Sequence, residues 1–126
     1  MYKTTRFVIW SVLFGGSAFA VHADQITFQN DLSSCVSITA TKTSTESNVV
    51  WADTRFQLRK STGECGCFSA LATYRSSVNR GGVRLVLQEG QISMGSGGER
   101  KLVLASDPAL VANTEVLVEL ACTPPM

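Results

Sequence analysis

Four cysteines stand behind a secretion-type leader: Cys35, the close pair Cys65-Gly66-Cys67, and Cys122 near the C-terminus. Four pairable cysteines in a small exported chain imply a disulfide framework, so segments distant in sequence must meet in the fold. Three pairings are possible. On an extended chain the Cα atoms of Cys65 and Cys67 sit near the upper limit for a bridge, so a bond between them would be strained and easily reduced. Geometry therefore predicts one bond to Cys35 and one to Cys122, leaving open which member of the pair takes which partner. Closing loops of about 30 and about 55 residues contributes roughly 4 kcal/mol each on the chain-entropy account. Against a total stability of about 5 to 15 kcal/mol, either bond can decide whether the domain folds.

The leader has three parts. Lys3 and Arg6 form a short basic region, an apolar run extends from Phe7 to Ala20, and Val21-His22-Ala23 supplies small residues before a cut. Cleavage after Ala23 leaves Asp24 as the new N-terminus, with a cut after Ala20 as the alternative. About 14 apolar residues, Gly15-Gly16 among them, are too few to span roughly 30 Å of hydrocarbon. The expectation is thus a signal peptide over residues 1–23 and a single domain over 24–126, with no transmembrane segment after cleavage and a periplasmic or secreted location.

Removing the leader changes the charge and the chemistry. The 11 basic residues lose Lys3 and Arg6, leaving nine against ten acidic ones. That balance offers no case for nucleic acid, whose binding rests on many Lys and Arg contacts to phosphate. The only histidine, His22, leaves with the leader. A mature chain without histidine cannot hold a Ser-His-Asp or Cys-His site, nor a histidine-ligated zinc. The chain is therefore expected not to be an enzyme, with no catalytic residues, no metal and no cofactor.

No mature segment keeps a helical period over three turns, whereas short runs rich in Val, Ile, Thr and Phe recur between turn signals. The expected strands lie near 25–29, 34–42, 48–60, 67–78, 82–88, 99–105 and 114–122. In the clearest, Val50, Ala52, Phe56 and Leu58 alternate with Asp53, Arg55, Gln57 and Arg59, which puts one face on a core and one in water. Val36, Ile38 and Ala40 do the same, and Val116, Val118, Leu120 and Cys122 share a face that points Cys122 inward. Polar turns are expected at Thr43–Ser47, Ser61–Gly63 and Arg80–Gly82, a glycine-rich hairpin tip at Gly95–Gly98, and a short helical turn from Ser106 to Leu110 with Pro108 just inside it. About seven short strands in some 100 residues predict an all-β, immunoglobulin-like antiparallel β-sandwich, with a small β-barrel as the alternative.

Cys65-Gly66-Cys67 also admits a thiol redox reading. Glu64 beside it, where a basic group would be needed, disfavours the thiolate, and no βαβ pattern surrounds it. A copper reading would enlist Met94 as a soft ligand beside free thiols. The loop Gly95–Gly98 lacks the Lys-Ser/Thr of a phosphate cradle. The ten acidic residues form no recognisable carboxylate pair. What stands out instead is Trp51, placed with Asp53 and Arg55 on the outward face of the best-defined strand. A Trp beside Arg55 and Arg59 has the composition of an interaction hot spot for a macromolecular partner, against the alternative that Trp51 packs under a loop. Arg75, Arg80 and Arg84 add positive charge farther along.

The stretch from Glu64 to Tyr74, the earlier Cys35 and the ending Cys122-Thr123-Pro124-Pro125 resemble a family of small exported Gram-negative bacterial proteins of unknown function. That resemblance implies a disulfide-bonded exported domain and brings no activity. Pilus and fimbrial subunits are the better-known comparison, being exported disulfide-bonded sandwiches of similar size. This chain departs from them because residues 24–31 are too short and irregular for a donor strand and the aromatic C-terminal signature is missing. A pilus-like or surface structural subunit is carried as an alternative to the binding module.

Overall fold

The computed structural model describes residues 25–124. The leader read from residues 1–23 lies outside the described residues, as do Asp24 and the last two positions of the expected domain. Seven strands are present: β1 (Ile26–Asn30), β2 (Val36–Glu46), β3 (Val49–Leu58), β4 (Leu71–Arg80), β5 (Val83–Ser93), β6 (Gly98–Ala105) and β7 (Val116–Cys122). They form two sheets, β1-β7-β4-β5 and β2-β3-β6, with no closed barrel.

Two tight hairpins make the local structure. Ser47 and Asn48 between β2 and β3 both have positive φ, as do Gly81 and Gly82 between β4 and β5. Such left-handed pairs match the twist of the flanking strands in a two-residue hairpin. β2 continues to Glu46, so most of the polar run expected as a turn at Thr43–Ser47 is strand. The glycine-rich segment is not a hairpin tip either: it carries the chain from β5 in one sheet to β6 in the other. Gly97 fits there because a Cβ would lie 3.0 Å from the Phe56 carbonyl oxygen. The expected helical turn is present as a 3-10 turn at Pro108–Val111, capped by Asp107, whose carboxylate accepts the Ala109 N–H at 2.9 Å.

The four-plus-three division matches the constant-type immunoglobulin count, but β2 and β7 exchange sheets relative to that arrangement. One pairing also departs from antiparallel order: β1 runs parallel to β7. The core lies between the sheets. Val36, Val50, Phe56, Leu102 and Leu104 face Ala72, Val78, Val116, Val118 and Leu120, all buried, and Leu32 and Val111 fill it from the connections. Alternation predicts these faces, and it holds through β7 and along β3 as far as Phe56, whereas Leu58, expected on the core face, is exposed where the strand ends.

Hydrogen bonds also cross between the sheets. β6 has one extra residue at Leu104, where Val50 pairs with Ala105 and Trp51 with Val103. The Tyr74 hydroxyl donates to the Val103 carbonyl at 3.2 Å and the Ser76 hydroxyl to the Leu104 carbonyl at 2.6 Å. The bulge thus leaves two β6 carbonyls to be satisfied by β4 of the opposite sheet, as buried polar groups require.

Candidate functional site

One end of the sandwich is built by the cysteines. Cys35 closes a tight turn after β1, where Asn30 accepts the Leu32 N–H at 2.9 Å and donates to the Val36 carbonyl at 2.7 Å. Its own carbonyl accepts the amides of Arg59 and Lys60 just past β3. The chain then makes a 3-10 turn at Thr62–Cys65 and reverses at Gly66, whose φ of 89° is the left-handed conformation that suits glycine. This reversal sends the two cysteines apart. Cys65 bonds to Cys35, next to β2 in one sheet, and Cys67 bonds to Cys122 in β7 of the other. The expected pattern is present, and the open choice of partner is settled. None of the four cysteines is free.

The clamp fixes the segment that follows. The Cys67 N–H donates to the Thr62 carbonyl at 3.1 Å, and the buried Thr62 hydroxyl donates to the Ser69 carbonyl at 3.2 Å. Phe68, held between these ties, is 83% exposed. Sequence reading placed it at the start of a strand, but β4 begins only at Leu71. A large aromatic beside a cysteine was the available signal, and residue type alone does not tell a core position from a displayed one.

On the outer face of β3, Trp51 and Arg55 lie on one side with Asp53 between them, as expected. Trp51 is half-buried, and the Lys101 ammonium sits 5.2 Å from its ring centroid. Arg55 pairs with Glu99 at 3.1 Å, Lys42 with Asp53 at 3.6 Å, and Lys101 with Glu46 at 3.7 Å. A shallow depression of about 450 Å³ runs beside these groups, lined in part by Lys42, Asp53, Glu99 and Lys101. Arg59 lies past the strand end, at the cysteine-bonded end of the molecule. The structure therefore brings Trp51 and Arg55 together and leaves Arg59 beyond the strand, with its amide on the Cys35 carbonyl. Arg75 pairs with Glu89 and Arg80 donates to the Leu110 carbonyl, so these two of the further arginines make local contacts, whereas Arg84 has no ion-pair partner among the described residues.

A second cleft, about 390 Å³, opens between the edges of β5 and β6 over Tyr74. Burial pushes the Tyr74 phenol above its ordinary value. Among the described residues no cluster of three or more His, Cys, Asp or Glu could hold a metal ion, and no helix is long and apolar enough to cross a membrane.

Fold and cysteines together define a two-sheet β-sandwich whose sheets are clamped at one end by two disulfides, a construction typical of proteins matured in oxidising compartments. The chain belongs to the bacterial family described as "Uncharacterized protein conserved in bacteria (DUF2195)", whose sequence model matches residues 9–125. The resemblance read from Glu64–Tyr74, Cys35 and the Cys122–Pro125 ending therefore holds at the level of an uncharacterised bacterial family. No curated protein and no solved structure matches the chain.

Proposed function

We propose that this protein is exported to the periplasm or beyond and acts without catalysis, by binding another macromolecule through the displayed Phe68 and the Trp51–Arg55 face, with Arg59 past the end of the same strand. The observation that carries this reading is Phe68, a large apolar side chain left in water immediately after two disulfide-bonded cysteines, on a loop whose far side is tied by the Thr62–Ser69 hydrogen bond. An aromatic anchor fixed before binding loses little entropy when a pocket closes on it. Trp51 supplies apolar area under a lysine that can swing away, and Arg55 a cation whose present partner Glu99 is exposed. Such exposed ion pairs are worth about 0 to 1 kcal/mol, so exchanging one for a partner's carboxylate costs little.

The experiment is quantitative crosslinking capture in the bacterial envelope. Wild-type protein is compared with Phe68→Ala and with Trp51→Ala/Arg55→Ala, each first shown to keep the wild-type melting temperature. The expected result is a set of partners strongly depleted with Phe68→Ala and weakened with the double variant. Identical capture by all three proteins removes both surfaces from consideration. A pilus-like or surface structural role would instead show as strand exchange or polymers of the purified protein. A redox or copper role would require Cys65 and Cys67 to open in the folded state or metal to copurify.

A further inference from the structure

We propose that β5 is a self-association edge, and that two copies of this chain pair antiparallel along it across a two-fold axis, joining two four-stranded sheets into one of eight strands. β5 ends its sheet, so one side of its backbone has no neighbouring strand. Its first half carries exposed apolar side chains, with Val83, Leu85 and Val86 at 67%, 43% and 48%. An edge of this kind is a template for another strand unless charges or irregularities blunt it.

The irregularity in β5 selects the partner. Ser76 pairs with Gln88 and Ser77 with Val86, which leaves Leu87 as an extra residue. Because Arg75, Ser77 and Asn79 alternate onto the outer face of β4, their partners Glu89, Val86 and Arg84 share that face too. Val83, Leu85, Gln88 and Gly90 lie on the inner face by the same register. A regular strand laid against this edge would fall out of step at Leu87. A second copy carries the matching irregularity, and bulge against bulge restores the step on both sides.

That register is complementary in charge and shape. It sets Arg84 opposite Glu89 of the second copy, twice by symmetry, with the Val86–Leu87 segments at the axis. Arg84 has no carboxylate within ion-pair distance among the described residues, and Glu89 is half-exposed in its 3.5 Å contact with Arg75. On the inner face Val83 falls opposite Gly90, beside the cleft of about 390 Å³ between β5 and β6. Gly90 lets the Tyr74 ring lie close against the strand at the floor of that cleft, since a Cβ there would stand 2.6 Å from the ring. Each copy thus offers two apolar side chains at the hairpin end and an open cleft beside β5 where those of the other fit, the self-complementarity that a two-fold interface needs. This surface is separate from Trp51, which lies on the outer face of the other sheet, so the two readings fail independently.

The test is sedimentation equilibrium on the oxidised mature protein, with Arg84→Glu, Glu89→Arg and the double reversal. The expected result is a concentration-dependent dimer. Each single reversal weakens it about tenfold or more, and the double reversal restores it. Restoration separates the intermolecular pair from the Arg75–Glu89 contact, because Glu89→Arg would disrupt that contact in the double variant as well. Val83→Lys, which projects from the surface and leaves the core untouched, should also abolish the dimer while preserving the melting temperature of the monomer. A monomer at every soluble concentration, or a dimer indifferent to all four variants, overturns the proposal.

Discussion

Ser76 and Ser77 are neighbours in β4, both fully buried, and their hydroxyls have opposite fates. Ser76 points between the sheets and donates to the Leu104 carbonyl, whereas the Ser77 hydroxyl has no hydrogen-bond partner among the described residues. Removing a buried donor strands its acceptor and costs about 1 to 3 kcal/mol, while removing an unpaired hydroxyl forfeits no bond. Ser76→Ala should therefore lose that amount in urea unfolding of the oxidised protein, and Ser77→Ala should stay within about 0.5 kcal/mol of wild type or gain. Equal losses would show that the bond to Leu104 contributes nothing. Which way a side chain faces was legible from alternation, as Trp51, Val50 and Phe56 show. What it meets there was not. Lys101 reaches Trp51 only because β3 and β6 pair in one register, and single-residue pattern carries no information on that.

At the scale of elements, all seven strands were visible as Val-, Ile- and Thr-rich runs, and their ends were not. β2 runs on to Glu46 because Thr43 and Thr45 pair with Ala52 and Val50, although a run of Thr, Ser, Lys and Glu reads as loop. It is an edge strand, and polar residues are tolerated on both sides of an edge. The true turn, Ser47-Asn48, holds two non-glycine residues at φ of 50° and 66°. Left-handed backbone is unfavourable for serine and tolerated by asparagine, and Asn-Gly is the preferred pair in such turns. Ser47→Asn with Asn48→Gly should stabilise the hairpin by about 0.5 to 1 kcal/mol, read as a higher urea midpoint at unchanged slope. A lower midpoint would mean that glycine's extra freedom in the unfolded chain outweighs the relief of strain.

For the whole molecule, the cysteine pattern was legible as far as geometry reaches: the close pair had to split between Cys35 and Cys122. The split itself is decided by Gly66, whose reversal turns adjacent positions toward different sheets. A domain whose sheets share few backbone bonds depends on such cross-links, since β1 to β2, β3 to β4, β5 to β6 and β6 to β7 all pass between sheets. The two closed loops differ in length, with separations of 30 and 55 residues, but closure entropy grows only as the logarithm, so their contributions differ by about 0.5 kcal/mol. Cys35→Ala/Cys65→Ala and Cys67→Ala/Cys122→Ala should each lose about 2 to 5 kcal/mol in urea, and lose it nearly equally. The four-alanine variant should not fold at 37 °C, by the same arithmetic against a domain stability of about 5 to 15 kcal/mol. A loss confined to the Cys67–Cys122 pair would locate the stabilisation in β7, the strand between β1 and β4, rather than in the unfolded chain. Near-equal losses would identify the clamp as a constraint on the unfolded state, with the display of Phe68 as its consequence in the folded one.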